Sequence, residues 1–203
     1  LIKDLPQARP RRRKRGQGKT GRATALPNRV GIEHRPPEVD ERKRHGDWEG
    51  DLIVGAAQSG YLLTLVERTT LNTMIRKLDT KNAEHTAEAA IDAFMDMPKS
   101  WIRTITFDNG TEFAAHETIA RETGADIYFA APYSSYQRGT NENTNGLIRR
   151  FLPKNTRFDN ITQKQLNVIE DYLNNRPRKK LGYRTPNEVF YSQRKIQHVA
   201  LRA

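Results

Sequence analysis

The stretch Asp47-Trp48-Glu49-Gly50-Asp51-Leu52-Ile53-Val54-Gly55 decides how the fold is read. Its second half is an apolar, β-prone run. A second run, Tyr61-Leu62-Leu63-Thr64-Leu65-Val66, follows across the turn-like Gln58-Ser59-Gly60, and a third, Thr70–Ile75, comes after a polar break at Glu67-Arg68. Three short strands with tight connections predict an antiparallel meander. The spacing then turns helical: Ala83, Ala87, Ala90, Ile91 and Phe94 share a face, with Thr80 or Asn82 as cap. Ile102–Phe107 reads as a fourth strand stopped by Asn109-Gly110. A short helix ending at Gly124 leads to a fifth, Ile127–Ala130, stopped by Pro132. A meander followed by alternating helix and strand predicts an α/β fold, a mixed sheet with helices on its faces.

The last third is helical. Gln137–Phe151 fits one helix. Thr162-x-x-Gln165 is a capping box ahead of Leu166, Ile169 and Leu173, and Thr185-Pro186-x-Glu188 marks another helix start.

Charge divides the chain differently. The 203 residues carry 35 Lys and Arg against 24 Asp and Glu, a formal +11. Residues 1–45 alone hold 14 basic and 5 acidic side chains, a net +9, including the run Arg9-Pro10-Arg11-Arg12-Arg13-Lys14-Arg15. With little apolar surface and strong self-repulsion, the start of the chain reads as an extended basic arm. The expected division is an arm over 1–40, a core over 41–197 and a tail over 198–203. A cationic arm on a near-neutral body points to a polyanionic partner. The absence of cysteine excludes disulfides, thiolate metal sites and a cysteine nucleophile. The lack of cysteine leaves the compartment open, and with no secretory segment in the sequence a reducing cytoplasm is the expected default. No apolar run is long enough to span a bilayer, and a membrane partner is not expected. The first residue is Leu1, and the chain is expected to be a piece of something longer.

Three acidic residues stand out by placement. Asp51 lies inside the first strand, Asp108 at the tip of the fourth, and Glu142 early in the helix that opens near Gly139. Ligands gather beyond strand ends in open α/β sheets. Carboxylates from strands one and four would therefore meet a helix packed over that edge. Three carboxylates without His or Cys suit magnesium rather than zinc. Taken singly, each has a commoner role: an edge residue, an Asp-Asn-Gly turn, a helix-dipole partner. Alternation also puts Asp47, Glu49 and Asp51 on one face, so spacing alone leaves open which is the ligand.

The joint pattern resembles the DDE transposases of bacterial insertion sequences, of the IS-thirty family, and more distantly the retroviral integrases. The resemblance covers roughly residues 29–195. It rests on Gly46–Gly55, Thr64-Leu65-Val66-Glu67-Arg68, Phe107-Asp108-Asn109-Gly110-Thr111-Glu112-Phe113, Pro132–Asn143 and Asn174–Phe190, with 33 residues between Asp108 and Glu142. It implies a ribonuclease-H-like fold with a five-stranded sheet, and Asp51, Asp108 and Glu142 as catalytic, metal-binding triad, selecting Asp51 over Glu49. It also implies Arg149, seven residues past Glu142, as a phosphate contact on the face shared with Asn145. Tyr136 stands where many relatives have Trp, and the family's amino-terminal helix-turn-helix region lies outside this sequence.

The resemblance further implies two Mg2+ or Mn2+ ions per site, cleavage of double-stranded DNA at element ends, and strand transfer into target DNA by a homodimer or higher multimer in the bacterial cytoplasm, at the nucleoid. Arg12, Arg13, Arg138, Asn145, Arg149, Arg150 and Lys154 are the expected DNA contacts, and Arg157 and the run Arg176-Pro177-Arg178-Lys179-Lys180 add to the basic surface. Tyr133 and Tyr136 are stacking candidates. The five histidines lack metal-ligand spacing, and Trp48 and Trp101 are expected in the core. Two rivals stand beside this reading: a ribonuclease-H-type nuclease that only hydrolyses, and a non-catalytic DNA-binding remnant of a transposase.

Overall fold

The computed structural model describes residues 26–131 and 138–192. Within them, β1 (Asp47–Val54), β2 (Tyr61–Glu67), β3 (Thr73–Leu78), β4 (Thr104–Phe107) and β5 (Asp126–Phe129) form one sheet in the order β3-β2-β1-β4-β5. The meander is antiparallel, with Asp51 opposite Thr64 across β1 and β2 and Thr64 opposite Ile75 across β2 and β3. On its other side β1 runs parallel to β4, and β4 to β5. This is the mixed five-stranded sheet expected from the sequence. The parallel half has one functional consequence: β1 and β4 end at the same edge.

Alternation along the strands sorts two cores. Trp48, Leu63, Leu65, Ile105, Phe107 and Phe129 pack on one face against Ala87, Ala90 and Phe94 of α2 (Ala83–Phe94) and Ile119 of α3 (His116–Thr123). Ile53, Leu62 and Ile75 pack on the other against Ile148 of α4 (Gly139–Phe151) and Leu166, Ile169 and Leu173 of α5 (Gln163–Asn174), with Phe158 between. Trp48 is fully buried, and its indole Nε1 donates to the Trp101 carbonyl at 2.9 Å. The helix starts follow their local signals. Asn82 caps α2 through bonds from Glu84 N and His85 N, and Thr162 and Gln165 cap α5 reciprocally. Thr185 and Glu188 exchange the same pair of bonds at the head of a helix running from Pro186 to the last described residue.

Two expectations move. The third strand begins at Thr73, not Thr70. The buried Glu67 carboxylate accepts from Gly46 N (3.1 Å), Thr69 N (2.9 Å), Thr70 N (2.6 Å) and Thr70 Oγ1 (2.7 Å), folding residues 68–72 into a turn. Removing that acceptor in Glu67→Ala leaves three backbone donors and a hydroxyl unpartnered. A loss of about 3 kcal/mol, the desolvation cost of such orphaned groups, is expected in urea unfolding.

The stretch 26–40, read as arm, is packed on the body. Leu26 enters the core and Val39 is fully buried. Gly31 bridges to Phe129, and Arg35 donates to Thr106 Oγ1 at 2.9 Å. Five basic residues in this stretch and its flank hide these anchors from a charge-based reading: Arg29, Arg35, Arg42, Lys43 and Arg44.

Candidate active site

β1 is the central strand, and its acidic face looks toward α4. The three carboxylates that alternation could not separate hold three different positions. Asp47, with a side chain 2% exposed, pairs with Arg44 at 2.8 Å and accepts from Thr104 Oγ1 at 2.8 Å. Glu49, 0% exposed, pairs with Arg68 at 3.1 Å and accepts from the backbone N–H of Asn141 at 2.9 Å. Asp51, 23% exposed, is the one that reaches the open edge. Gly50 between them admits no side chain, because a Cβ there would stand 2.2 Å from the Phe107 ring. That close approach keeps β1 against β4 beside the site.

Asp108 follows the last residue of β4. The β1–β4 register pairs Glu49 with Thr106, so two residues further along Asp51, inside β1, stands beside Asp108, just past the end of β4. Asp108 Oδ1 accepts from Gly110 N at 3.0 Å, and Asn109 Nδ2 donates to the Ala130 carbonyl at 2.6 Å, tying this turn to the end of β5.

One guanidinium joins the two aspartates. Arg138, the residue before α4, lies 3.0 Å from Asp51 and 3.4 Å from Asp108 and donates to the Gly50 carbonyl at 3.3 Å. Asn145 Nδ2 donates to the other oxygen of Asp51 at 2.7 Å. Burial pushes the Asp51 carboxyl above the ordinary aspartate range. The charge and hydrogen bond of Arg138 pull it back, while Asp108 adds to the rise.

The remaining expected residues divide. Glu142 is exposed on the first turn of α4, and among the described residues no group of three or more His, Cys, Asp or Glu side chains is gathered to hold a metal. Two of the three carboxylates are thus brought together, with the Arg138 guanidinium between them. Glu142 nevertheless falls on the helical stripe of Arg138, Asn145 and Arg149, all three of which contact β1. Arg149 donates to the Val54 carbonyl at 2.8 Å and lies 5.6 Å over the Phe158 ring. It is therefore bound to the end of β1, and burial lowers its pKa. Arg150 and Lys154 are exposed, and Arg157 pairs with Asp159. His116 is buried beside Phe129 as a packing residue. Arg12, Arg13, Tyr133 and Tyr136 lie outside the described residues.

The sequence reading passed over the charges behind the site. Arg35 and Arg68, both nearly buried, share Asp40, and Arg68 continues to Glu49 and thence to the first turn of α4. The available signal was Glu67-Arg68, two charges closing an apolar strand. Arg138 was expected on DNA and is found on the two aspartates.

The carboxylate pair thus lies at one edge of a sheet of order β3-β2-β1-β4-β5, covered by a helix carrying polar groups. The integrase core domain family matches residues 41–135. The chain is 48% identical over 190 residues to the transposase of insertion sequence element IS4351 from Bacteroides fragilis, covering 94% of this chain and 58% of that protein. It is 42% identical over 193 residues to the IS1086 transposase of Cupriavidus metallidurans, covering 93% and 56%. Among solved structures, the catalytic core domain of BIV integrase aligns over 76% of this chain and 99% of that one, with a TM-score of 0.60 at 18% identity, a likeness of fold. The chain is thus similar to insertion-sequence transposases over nearly its whole length. It spans a little over half the length of the curated relatives it matches.

Proposed function

We propose that this chain is the catalytic domain of a transposase that cleaves DNA at element ends and joins the freed strand to target DNA, with Asp51, Asp108 and Glu142 holding two Mg2+ or Mn2+ ions. The observation that carries the reading is the convergence of Asp51 and Asp108, from adjacent parallel strands, on a single positive charge. The donor set fits hard divalent cations, since it offers carboxylate oxygens and no thiol or imidazole. When bound, such ions supply charge neutralisation at the reacting phosphate and an activated oxygen nucleophile.

The chain's own groups do the positioning. Asn145 fixes one oxygen of Asp51, and the other is held by Arg138, which also reaches Asp108. Arg138 offsets the charge of the pair, and its guanidinium has the geometry to take a phosphate oxygen of the DNA beside them. Glu142 lies one residue beyond Asn141, whose N–H is docked on Glu49, so its backbone is held even though its side chain faces solvent. Double-stranded DNA is the partner, and pairing of two element ends calls for more than one copy of the chain.

The test is nicking and joining of a labelled duplex bearing an element end, with Mg2+ or Mn2+ present and then chelated. Metal-dependent product is expected. Failure to produce it with either metal and any relative's end sequence, from a chain that melts cooperatively, overturns the proposal.

A further inference from the structure

A second polar cleft lies beside the first turn of α4, with a volume of about 470 Å3. It is lined by Arg42, Arg178, Lys179 and Lys180, with Leu71 and, from the helix, Gly139, Thr140 and Asn143. Four of its eight lining residues are cationic and none is acidic. Among the described residues, none of the four takes part in an ion pair. The cleft therefore gathers uncompensated positive charge. Burial of its stem lowers the pKa of Lys180, and Arg42 and Arg68 lower it further against an opposing pull from Glu49. Burial likewise lowers that of Arg178, with Arg176 adding to it. An anion entering the cleft would relieve both effects.

The cleft is also built. Arg42, in left-handed backbone at φ 53°, donates to Thr140 Oγ1 at 2.8 Å. Arg178 donates to the Leu173 carbonyl at 3.0 Å, and the turn that follows is closed by bonds from Leu181 N and Tyr183 N to the Arg178 carbonyl, both 2.9 Å. Lys179 and Lys180 project from this turn as exposed side chains. The positive end of the α4 dipole points the same way. A Cβ on Gly139 would meet nothing within 4 Å, so the approach along the helix start is open.

We propose that this cleft binds a backbone phosphate of DNA at a point separate from the reacting phosphodiester, anchoring the duplex within one helical turn of Glu142. The inference rests on the DNA-processing function proposed above. It adds a site on the Arg42 and Arg178–Lys180 side of α4, away from the Asp51–Asp108 edge. A phosphate anchor carries no sequence information, so it fixes position rather than choice of site.

The experiment titrates the full chain against a fluorescent random-sequence duplex by anisotropy, from about 50 to 200 mM salt, where phosphate contacts weigh most. Each lysine lost from a phosphate contact lowers the slope of log K against log salt by about 1. Lys179→Ala/Lys180→Ala should therefore lower it by about 2 and weaken binding roughly tenfold in mid-range, equally for unrelated sequences. Lys179→Arg/Lys180→Arg should restore both. The charge-matched control Lys81→Ala/Lys99→Ala, on exposed residues at either end of α2, should leave the slope within about 0.5 of the wild type. Equal slopes for the cleft variant and the control overturn the cleft while leaving the function intact if the wild type binds and cuts. A wild type with no salt-dependent DNA binding overturns the function and the cleft together.

Discussion

Asp51→Asn is expected to lose cleavage and joining almost completely while the protein becomes no less stable. Loss of one ionic ligand removes several kcal/mol of charge stabilisation at the reacting phosphate, a fall of about 10³-fold or more in rate. Stability moves the other way. Burial raises the Asp51 carboxyl above 3.8 despite Arg138. A carboxyl whose pKa rises on folding is favourable when protonated and unfavourable when ionised, so at neutral pH the Asp51 charge opposes folding. Asparagine removes that charge and keeps an oxygen for hydrogen bonding. Thermal melting at pH 7 should therefore show an unchanged or higher midpoint. The gain should shrink as the pH falls through the raised carboxyl range and vanish below 3.8, where Asp51 is protonated folded or unfolded. Asp108→Asn should match it in activity. Asp51→Asn retaining a tenth of wild-type strand transfer would remove Asp51 from the chemistry. An inactive variant that also melts much earlier would make its role structural.

The parts of the fold that were legible share one property: their determinants are local. Alternation in Tyr61–Val66, the box at Thr162 and Gln165, and the proline and glutamate after Thr185 each act within a few residues. The placement of Asp51 inside the first strand and of Asp108 at the tip of the fourth was legible for the same reason, because each strand is visible in its own run; the parallel β1–β4 pairing that sets them side by side was not. Partners distant in sequence were not. Nothing near Thr70 shows that Glu67 will turn its carboxylate onto Thr70 N, and nothing near Arg138 shows that it will meet two aspartates 30 and 87 residues earlier. Arg35 is read from sequence as one more charge in a basic segment, yet it is 7% exposed against β4. Burial of a charge depends on the counter-charge that the fold delivers, and spacing does not report it.

The quartet of Arg35, Arg68 and Glu49, all buried, with the exposed Asp40 gives the second large effect. Two cations and two carboxylates balance behind the site, and Glu49 spends its second oxygen on the N–H of Asn141, next to Glu142. Arg68→Met leaves Glu49 as an unpaired charge at 0% exposure. Removing one partner of such a pair costs about 3–5 kcal/mol, which should appear as an earlier midpoint in chemical denaturation. Glu49→Gln is the milder change, because its amide oxygen still accepts from Asn141 and its loss of charge leaves Arg68 with Asp40. If the pair is the source of the effect, Glu49→Gln/Arg68→Met should be more stable than Arg68→Met alone, a non-additivity typical of contacting residues at about 0.5–3 kcal/mol. The quartet also holds α4 at the height that keeps the Glu142 backbone beside the β1 edge. Glu49→Gln should therefore keep most of its catalytic rate, whereas Glu49→Ala, which gives up the acceptor for Asn141, should lose rate and metal affinity together at a temperature where it is still folded. Strict additivity of the two single changes, or a Glu49→Ala protein with wild-type metal affinity by calorimetry, would show that the other contacts of α4 with β1 and β2 hold it without the Glu49 acceptor.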